Sequence, residues 1–371
     1  MSDATSLGAK VGLIATETFD DPTGIGTYTR QLSMRLAGRV RDFVCVREEM
    51  EGSSEYLDRT LVLPRSIRMN AIRRVAAPFY MAWKGFDLLH FPAEPSLYLL
   101  RSGRARVVVT IHGLASIRLP AELHEKLPRR AQLKYKHLLD SVDRIVTVSE
   151  SSKRDIVEVY TIPPERIDVI YNGIDEVFHS EASDLPEIDT GDRPFILSVC
   201  ATIPKKNVSS IIHTLAALKE RGLPHRLIHI GPRGSAQEAL ESEVRRFNLR
   251  RDVRFLGYVS KDELAAYYRA ADALLFPSFH EGFGIPIVEA MASGCPVITS
   301  TAYSMPEIAG DAALLVDPYD VESLISMTHR LLTNRALREE LIGLGLERAR
   351  RFSWNRCADE TIAVYREVLG S

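Results

Sequence analysis

The chain has 371 residues, 45% of them hydrophobic, and a formal net charge of −2. This length is about twice that of a typical domain, so two packed domains are expected, without a nucleic-acid partner. The sequence shows neither an N-terminal apolar segment nor a run of about 18 apolar residues, which disfavours secretion and membrane spanning. Four cysteines without C-x-x-C spacing argue against a zinc site or a disulfide framework, so we expect a cytoplasmic protein.

The N-terminal half alternates short apolar runs with helical patterns. It opens with the apolar run 11–16, the loop ETFDDPTGIG and a helical pattern from about Gly26 to Ala37. Further apolar runs lie at 43–46, 87–91, 106–111, 144–148 and 167–171. Such alternation is typical of a parallel sheet wound by βα units, and it predicts a first doubly wound domain over residues 1–180.

One segment of this half is strongly basic. Residues 61–140 carry 14 Lys or Arg against 5 Asp or Glu, and RSIRMNAIRRVAAPFYMAWKGF (65–86) has five bases and no acid. Apolar and aromatic residues recur in 65–86 at roughly helical spacing. This pattern fits a helix that lies on anionic lipid, at the inner face of the membrane, but it equally fits a helix whose apolar face packs into the core.

The clearest linker is 181–193, in the acidic run SEASDLPEIDTGDR, which lacks bulky apolar periodicity. Beyond it the alternation restarts and predicts a second doubly wound domain over 194–353, followed by a last helix in 354–371. The predicted strands are 194–200, 226–230, 253–256, 272–276, 296–299 and 313–316. The predicted fold class is therefore α/β, with two doubly wound Rossmann-like domains and a ligand in the crevice between them.

Two glutamates, Glu281 and Glu289, flank a Gly-Phe-Gly-Ile-Pro turn after the predicted strand 272–276. The glycines and the proline exclude one continuous helix, so the two carboxylates lie on different pieces of chain at the carboxyl edge of the sheet. We expect Glu289, in the first turn of the following helix, to accept hydrogen bonds from two vicinal hydroxyls, as on a ribose. Glu281, on the incoming loop, is then placed for a different hydroxylated group.

The start of that helix is a candidate phosphate site. Pro286 suits the first helical turn, where its missing N–H costs nothing. We expect the free amides of Ile287 and Val288 to point at the ligand and to attract phosphate. Two carboxylates beside a diphosphate site predict a nucleotide-sugar pocket. An exposed loop acid and a helix-dipole charge are the alternative explanations of the two glutamates.

The string E-G-F-G-x-P-x-x-E-A-M-A-x-G-x-P-V-I, which begins at Glu281, resembles the signature of the retaining glycosyltransferases of family 4, which have two Rossmann-like domains facing across a cleft (the GT-B fold). The runs 23–32, 146–175 and 255–278 match further family segments, so the resemblance covers nearly the whole chain. It implies that helix 354–371 crosses back to the first, acceptor-binding domain and that the second domain binds the nucleotide-sugar.

The resemblance also implies roles for particular residues. Glu281 corresponds to the donor-sugar carboxylate and Glu289 to the ribose carboxylate. Tyr258 and Val259 are candidates for base contacts, although a core tyrosine is an equal alternative. The implied donor site further includes Gly24 and Gly26, in a glycine-rich loop whose backbone approaches the phosphates, together with Gly282, Phe283, Gly284, Ile287 and Val288.

Two lysines resemble the family's Arg-Lys-Asn. In ATIPKKNVSS, Lys205 and Lys206 precede a helix that Asn207 or Ser209 is placed to cap. They would supply the positive charge that a diphosphate leaving group needs. Lys205 replaces the usual arginine and lacks its bidentate fork, so Lys206 is the stronger candidate. Two solvated lysines are the alternative, although cations are unfavourable at that end of a helix.

His112 follows strand 106–111 and resembles the family's histidine beside the donor sugar. A structural histidine after a buried strand is the alternative. Many relatives continue His-Asp, whereas this chain has Gly113. The predicted catalytic set is therefore His112, Glu281 and Lys206.

No strict D-x-D occurs, so neither a metal nor another cofactor is expected. The expected reaction is transfer of a sugar, best matched by mannose from GDP-mannose, to a lipid-linked or growing saccharide of a surface polysaccharide such as lipopolysaccharide. The family is described by front-face attack assisted by the leaving phosphate. UDP-sugar and dTDP-rhamnose donors stay open. A nucleotide-sugar 2-epimerase and a catalytically silent binding protein are the competing hypotheses.

Overall fold

The structure is a computed structural model, and it describes residues 7–15, 23–48, 60–63, 84–93, 104–179, 186–190 and 193–370. Its contacts divide the chain into two compact units. The first unit comprises Met1–Leu114, Leu127–Gly173 and Trp354–Ser371, and the second comprises Ala115–Lys126 and Ile174–Ser353. Residues 65–83, and most of the predicted linker 181–193, lie outside the described residues.

The boundary between the units differs from the predicted one. The first unit ends at Gly173 rather than at residue 180. Ile174 pairs with Ser353 in a parallel β-bridge, and the Phe178 ring meets the Tyr268 ring edge to face at 5.9 Å. Residues after Gly173 therefore pack with the second unit.

The first unit is built on a parallel seven-stranded sheet with the order β3-β2-β1-β4-β5-β6-β7. Its strands are β1 Leu7–Ile14, β2 Val40–Glu48, β3 Thr60–Leu63, β4 Leu88–Phe91, β5 Arg106–Ile111, β6 Arg144–Thr147 and β7 Ile167–Val169. The sequence analysis did not predict β3. Strands such as β4 and β5 are buried and mainly apolar, because both faces of a parallel sheet are covered, and their buried polar residues are His90 and Thr110.

The second unit is built on a parallel six-stranded sheet with the order β10-β9-β8-β11-β12-β13. Its strands are β8 Phe195–Val199, β9 Arg226–Ile230, β10 Val253–Gly257, β11 Ala273–Phe276, β12 Val297–Ser300 and β13 Ala313–Val316. This is the doubly wound 3-2-1-4-5-6 order, whose switch point lies between β8 and β11. Open α/β sheets bind ligands at the carboxyl ends of the strands at that point. The α/β prediction with two doubly wound units is confirmed.

Twelve α-helices are defined within the described residues. They are α1 Gly24–Ala37, α2 Ala115–Arg118, α3 Arg129–Ser141, α4 Glu150–Tyr160, α5 Val208–Glu220, α6 Gln237–Arg246, α7 Lys261–Ala270, α8 Ile285–Ala292, α9 Met305–Ala309, α10 Val321–Thr333, α11 Arg335–Ala349 and α12 Trp354–Leu369. In the part of the chain that these ranges cover, no helix is both long enough and apolar enough to span a bilayer.

The last helix contributes to the core of the first unit. Trp354, Ile362 and Tyr365 of α12 are buried in one cluster with Tyr28 and Leu32 of α1. Burying a large apolar side chain contributes roughly 1.5–3 kcal/mol, so this cluster ties the C-terminus to the first sheet. The C-terminal helix thus returns to the first unit, as the fold prediction states.

Candidate active site

The loops that follow β8 and β11 meet at the switch point of the second sheet. The Phe279 N–H donates to the Lys205 carbonyl at 2.9 Å. The side-chain amide of Asn207 donates to the carbonyls of Pro277 at 3.2 Å and Pro318 at 2.8 Å. These bonds join residues about 70 or more positions apart in the sequence, and they hold together the loops that follow β8, β11 and β13.

Asn207 does not have the predicted capping role. It adopts a left-handed conformation with φ 55°, and its side chain makes no capping hydrogen bond to α5. Its carboxamide oxygen accepts from the Ser210 hydroxyl at 2.7 Å, while the Ser209 hydroxyl donates to Glu243. The expectation that Asn207 or Ser209 caps α5 is therefore wrong, because both side chains have tertiary partners.

The structure brings together Lys206 and Glu281, two of the residues predicted to be catalytic. The Lys206 Nζ lies 2.5 Å from Glu281 Oε1, and the two side chains are only 17% and 11% exposed. Burial by itself would raise the pKa of Glu281, but the ammonium groups of Lys206 and Lys205 hold it below its ordinary value. The Glu281 carboxylate therefore stays ionised beside two cations.

Lys205 is the second cation of this cluster. Burial lowers its pKa, Glu281 opposes this shift and Lys206 adds to it. The ammonium of Lys206 also lies 5.4 Å above the Phe276 ring. An ammonium has three donors, so the bond to Glu281 leaves Lys206 with donors for another anion. The arrangement can bind an anionic group next to a carboxylate.

Hydroxyl groups of the neighbouring chain segment hold the loop that carries Glu281. The Ser304 hydroxyl bonds to the carbonyls of Glu281 at 2.9 Å and Phe283 at 3.1 Å. The Ser300 hydroxyl, at the end of β12, donates to the Ser278 carbonyl at 2.8 Å. The sequence analysis missed both serines. The only available signal was that Ser300 directly follows the predicted strand 296–299 and that Ser304 lies in the loop after it.

The turn between the two glutamates can offer backbone groups, but not side chains, to a ligand. Gly282 is partly buried, and Gly284 has φ 97°, a left-handed conformation that favours glycine. A Cβ on Gly284 would also lie 3.0 Å from Ile287 Cδ1. The Phe283 ring is buried and packs edge to face on Phe352 at 5.5 Å. Phe283 is therefore a packing residue, and its side chain is not available to a ligand.

The predicted free amides at the start of α8 need a correction. The Ile287 N–H donates to the Gly284 carbonyl at 3.0 Å, which closes the first turn. It is therefore not free for phosphate. The side chains of Ile287 and Val288 are fully buried. Pro286 lies in the first turn as predicted.

Glu289 is the fifth residue of α8, so the prediction that it lies in the first turn is wrong. Its Oε2 accepts from the Tyr268 hydroxyl of α7 at 3.1 Å. Burial raises the pKa of Glu289 to about 7. The hydrogen bond from Tyr268 and the charge of Lys261 lower this pKa, whereas the charge of Asp175 raises it. Near neutral pH this carboxyl group therefore both accepts and donates hydrogen bonds. The sequence analysis did not identify Tyr268 as a partner of Glu289.

Tyr258 and Val259 follow β10 at the carboxyl edge of the second sheet. The Tyr258 side chain is 58% exposed, whereas Val259 is partly buried. Tyr258 is therefore a surface residue, and the core alternative for it is wrong. A base contact at these two residues stays a prediction.

Two glycines after β9 support the loop that carries the lysines, and the sequence analysis missed them. A Cβ on Gly231, which has φ 145°, would lie 2.0 Å from the Cys200 carbonyl oxygen. A Cβ on Gly234 would lie 2.6 Å from the Thr202 carbonyl oxygen. The Gly234 N–H donates to the Thr202 hydroxyl at 2.7 Å. Only glycine allows this close approach of the two loops.

Gly24 and Gly26 lie in the first turn of α1. The helix begins two residues before the predicted start, so these glycines are helical and not part of a loop. Thr23 precedes the helix in an extended conformation and makes no side-chain cap. The amides of this first turn need acceptors from outside the helix, as at any helix N-terminus.

His112 lies directly after β5 in the first unit. Its Nε2 pairs with the Pro92 carbonyl at 2.8 Å, and its ring meets the Tyr28 ring edge to face at 4.9 Å. Burial lowers the pKa of His112 to about 4, although the Pro92 carbonyl favours the protonated form. The imidazole is therefore neutral at physiological pH.

A chain of buried hydrogen bonds lies beside His112, and the sequence analysis missed it. His90 Nδ1 pairs with the Tyr365 hydroxyl at 2.6 Å, and Nε2 pairs with the Thr110 hydroxyl at 2.8 Å. The Thr110 hydroxyl also pairs with the Tyr28 hydroxyl at 3.1 Å. Burial, and then the proximity of His112, lower the pKa of His90 to about 3. This polar chain is uncharged and connects α12 to the residues around His112.

The two sheet edges offer different groups to a ligand. Within the ranges that the structure describes, no group of three or more His, Cys, Asp or Glu is arranged to hold a metal ion. The cations that lower the pKa of Glu281 are Lys206 and Lys205. The second unit thus offers cations, a carboxylate and a titratable carboxyl group, and the first unit offers a neutral imidazole and a helix N-terminus.

Comparisons with known proteins place these features in a family. The family model described as Glycosyltransferase Family 4 matches residues 22–178, and the model described as Glycosyl transferases group 1 matches residues 180–347. The O-antigen chain mannosyltransferase B of Escherichia coli is 30% identical over 377 residues, which span 95% of this chain and 99% of that protein.

Two further comparisons agree. The MMP alpha-(1->4)-mannosyltransferase of Mycolicibacterium hassiacum is 32% identical over 243 residues, covering 63% of this chain and 56% of that protein. The crystal structure of HepE from Anabaena in complex with UDP and glucose has the same fold, with a TM-score of 0.78, 17% identity, and coverage of 96% of this chain and 99% of that one. The chain therefore belongs to the family 4, group 1 glycosyltransferases of the GT-B type, and it is a glycosyltransferase.

Proposed function

We propose that this enzyme transfers mannose from GDP-mannose, with retention of anomeric configuration, to a lipid-linked or growing saccharide acceptor in surface polysaccharide synthesis. The observation that carries the proposal is the likeness, over nearly the full length of both chains, to the O-antigen chain mannosyltransferase B. The second mannosyltransferase relative is named for an alpha linkage. Because GDP-mannose carries an alpha-linked sugar, an alpha product requires retention.

The charges at the edge of the second sheet support this chemistry. Breaking the bond between the sugar C1 and the phosphate oxygen develops negative charge on the nucleoside diphosphate. Lys206, held 2.5 Å from Glu281, keeps two donors for that diphosphate, and Lys205 adds a second cation. Side-chain cations in these positions serve the leaving group without a metal ion.

The two glutamates suit different hydroxyls of the donor. Glu281 remains ionised and accepts from sugar hydroxyls, while Glu289 accepts from the ribose when deprotonated. We assign the base contact to Tyr258, and its exposure at the end of β10 supports this assignment. The Ser304 hydroxyl contacts the carbonyls of Glu281 and Phe283. These carbonyls belong to the same peptide groups as the amides of Gly282 and Gly284, so the contacts also fix those two amides.

In the first unit, the Nε2–H of the neutral His112 donates to the Pro92 carbonyl, so its Nδ1 accepts a hydrogen bond from a sugar hydroxyl without adding charge. The first turn of α1, at Gly24 and Gly26, offers amides to a phosphate oxygen. No carboxylate is assigned as a covalent nucleophile. The acceptor hydroxyl attacks C1 from the side of the departing phosphate, and its proton passes to a phosphate oxygen.

The experiment is a transfer assay with GDP-mannose, UDP-glucose, UDP-N-acetylglucosamine and dTDP-rhamnose as donors. The acceptor is a polyprenyl-diphosphate-linked saccharide, and each reaction runs with magnesium and with EDTA. We expect transfer from GDP-mannose only, and EDTA should not change its rate. The one-bond C–H coupling at the anomeric carbon of the product should show an alpha linkage. Transfer from another donor overturns the choice of sugar, and a beta product overturns retention. Conversion of the donor to its 2-epimer without acceptor would identify an epimerase.

A further inference from the structure

Two aromatic rings form a pair at the carboxyl edge of the second sheet. Phe279 follows β11 and Tyr319 follows β13, and their ring centroids lie 4.7 Å apart at an interplanar angle of 40°. Tyr319 is 69% exposed, whereas Phe279 is partly buried. We refer to these two rings as the aromatic pair. A tyrosine that is this exposed gains little stability from burial, so its ring stays available to a ligand.

Hydrogen bonds fix the backbone on which the Tyr319 ring is mounted. The Tyr319 N–H donates to Asp317 Oδ1 at 2.9 Å. The carbonyl of the preceding residue, Pro318, accepts from the side-chain amide of Asn207 at 2.8 Å. The loop after β13 is therefore tied to the loop after β8. A ligand that binds to such a preorganised loop loses little free energy to ordering it.

The aromatic pair adjoins the charged part of the same edge. Phe279 lies two residues before Glu281, and its N–H donates to the Lys205 carbonyl at 2.9 Å. Two residues span at most about 7 Å of chain. A saccharide of a few rings whose end lies at Glu281 is therefore long enough to reach the aromatic pair.

The loop that carries Tyr319 adds negative charge. Its stretch DPYDVE (317–322) has three acidic residues and no Lys or Arg. Asp317, Asp320 and Glu322 are all exposed, and Asp320 Oδ1 also accepts from an N–H of α10 at 3.0 Å. An ionised carboxylate has two accepting oxygens, so each of the three can still accept from a hydroxyl group. Their charge disfavours a phosphate-bearing ligand at this surface.

We propose that the aromatic pair binds a neutral saccharide, namely the part of the acceptor that lies beyond its reacting end. One face of a pyranose ring presents C–H groups, which pack against the negative face of an aromatic ring. The hydroxyl groups at the rim of the sugar donate to the carboxylates of 317–322. Aromatic faces beside a few polar acceptors match both parts of a sugar. The inference rests on the proposed function, because it concerns the saccharide acceptor of that reaction.

The first test is calorimetric titration of alpha-linked mannotriose into the full-length protein. Tyr319→Ser should weaken binding by about tenfold, whereas Tyr319→Phe, which keeps the ring, should weaken it by less than about threefold. The matched control is Leu346→Ser, at an exposed apolar residue of α11. It should change the affinity by less than about twofold.

The second test varies the length of the acceptor saccharide in the transfer assay. In the wild type, KM for the acceptor should fall as sugar rings are added, because the added rings reach the aromatic pair. In Tyr319→Ser this dependence on length should disappear. The KM of the shortest acceptor, the KM of the donor and kcat should keep their wild-type values. A purely structural role of Tyr319 would instead change the kinetics of short and long acceptors alike.

Three outcomes would overturn the inference. The first two are an unchanged affinity for mannotriose in Tyr319→Ser and an equal loss in Leu346→Ser. The third is a loss of GDP affinity in Tyr319→Ser of more than about threefold, which would assign the ring to the nucleotide base. If transfer fails with every donor while mannotriose binding depends on Tyr319, the proposed function falls and the saccharide site remains. If transfer occurs but Tyr319→Ser binds mannotriose normally, only this inference is lost.

Discussion

The carboxyl edges of the two sheets differ in charge. In the second unit, the edge keeps Glu281 ionised between Lys206 and Lys205. In the first unit, burial lowers the pKa of His112 to about 4 and that of His90 to about 3, so both imidazoles are neutral. One edge is therefore built to hold ions, and the other is built from uncharged hydrogen-bonding groups.

This difference in charge follows from the partners that each edge provides for its buried polar side chains. A buried charge is tolerated only with an opposite charge or hydrogen bonds, which Glu281 has in Lys206 and Lys205. His90 has hydroxyl partners instead of a carboxylate, so the neutral form is favoured. In the proposed function, the charged edge accordingly binds the donor diphosphate, and His112 of the neutral edge contacts a sugar hydroxyl.

The largest expected effect is at Lys206. Lys206→Met should lower kcat/KM about 10³-fold, because it removes a cation from the leaving group. It should also lower the free energy of unfolding by about 3 kcal/mol, because Glu281 loses its direct partner. Steady-state transfer kinetics and urea unfolding measure the two effects. In the double variant Lys206→Met with Glu281→Gln, stability should recover and activity should not. Recovered activity would contradict a role in catalysis.

The next effect is the pH dependence of stability at Glu289. Its pKa is about 7 in the folded protein against an ordinary 4.5. Stability from this group is fully present below pH 4.5 and is lost as pH rises through 7. From pH 5 to pH 8 the free energy of unfolding of the wild type should fall by about 2–3 kcal/mol more than that of Glu289→Gln. Urea unfolding at both pH values tests this, with the exposed Glu340→Gln as control. Parallel losses in wild type and Glu289→Gln would reject the raised pKa.

A smaller effect is expected at His112. His112→Gln should lower kcat/KM about tenfold, the value of one hydrogen bond to a sugar hydroxyl. Because the imidazole is already neutral, kcat/KM of the variant should keep the wild-type pH dependence between pH 5.5 and 8. If the variant instead removes an inflection near pH 6.5, His112 titrates during turnover and the first edge is not neutral.

The smallest effect is expected in the buried chain behind His112. Tyr365→Phe removes the partner of His90 Nδ1 and should cost about 1–2 kcal/mol of unfolding free energy. Thermal and urea unfolding measure the loss. Tyr319→Phe, at a tyrosine that is 69% exposed, is the matched control and should change stability by less than about 0.5 kcal/mol. A loss no larger than that of the control would show that the hydrogen bond contributes nothing.

The sequence predicted the architecture well because both sheets are parallel and buried. Their strands are short apolar runs between helical patterns, and such runs can be recognised from a short window of sequence. The strand β3 Thr60–Leu63 was missed because it lies at the sheet edge beside a strongly basic segment. The glutamates and lysines were found through their motif, and the structure brings Lys206 and Glu281 together.

The partners and the protonation of the site residues could not be predicted from the sequence, because they depend on contacts between distant segments. Ser304 holds the Glu281 carbonyl, and Tyr268 of α7 bonds to Glu289 from 21 residues away. The pKa of Glu289 depends on this burial, which no local pattern encodes. The amide of Ile287 was misjudged because the turn at Gly284 closes on itself. Local patterns thus locate site residues, but tertiary packing decides their protonation and partners.

The most direct test is calorimetric titration of GDP, UDP and dTDP into the wild type, Lys206→Met and Glu289→Ala, each with magnesium and with EDTA. The account predicts that GDP binds most tightly, that EDTA has no effect, and that both variants lose at least about tenfold in affinity, since charge-assisted hydrogen bonds to the ligand are removed. Wild-type affinity for GDP in Lys206→Met would contradict the claim that the charged edge of the second sheet binds the donor diphosphate.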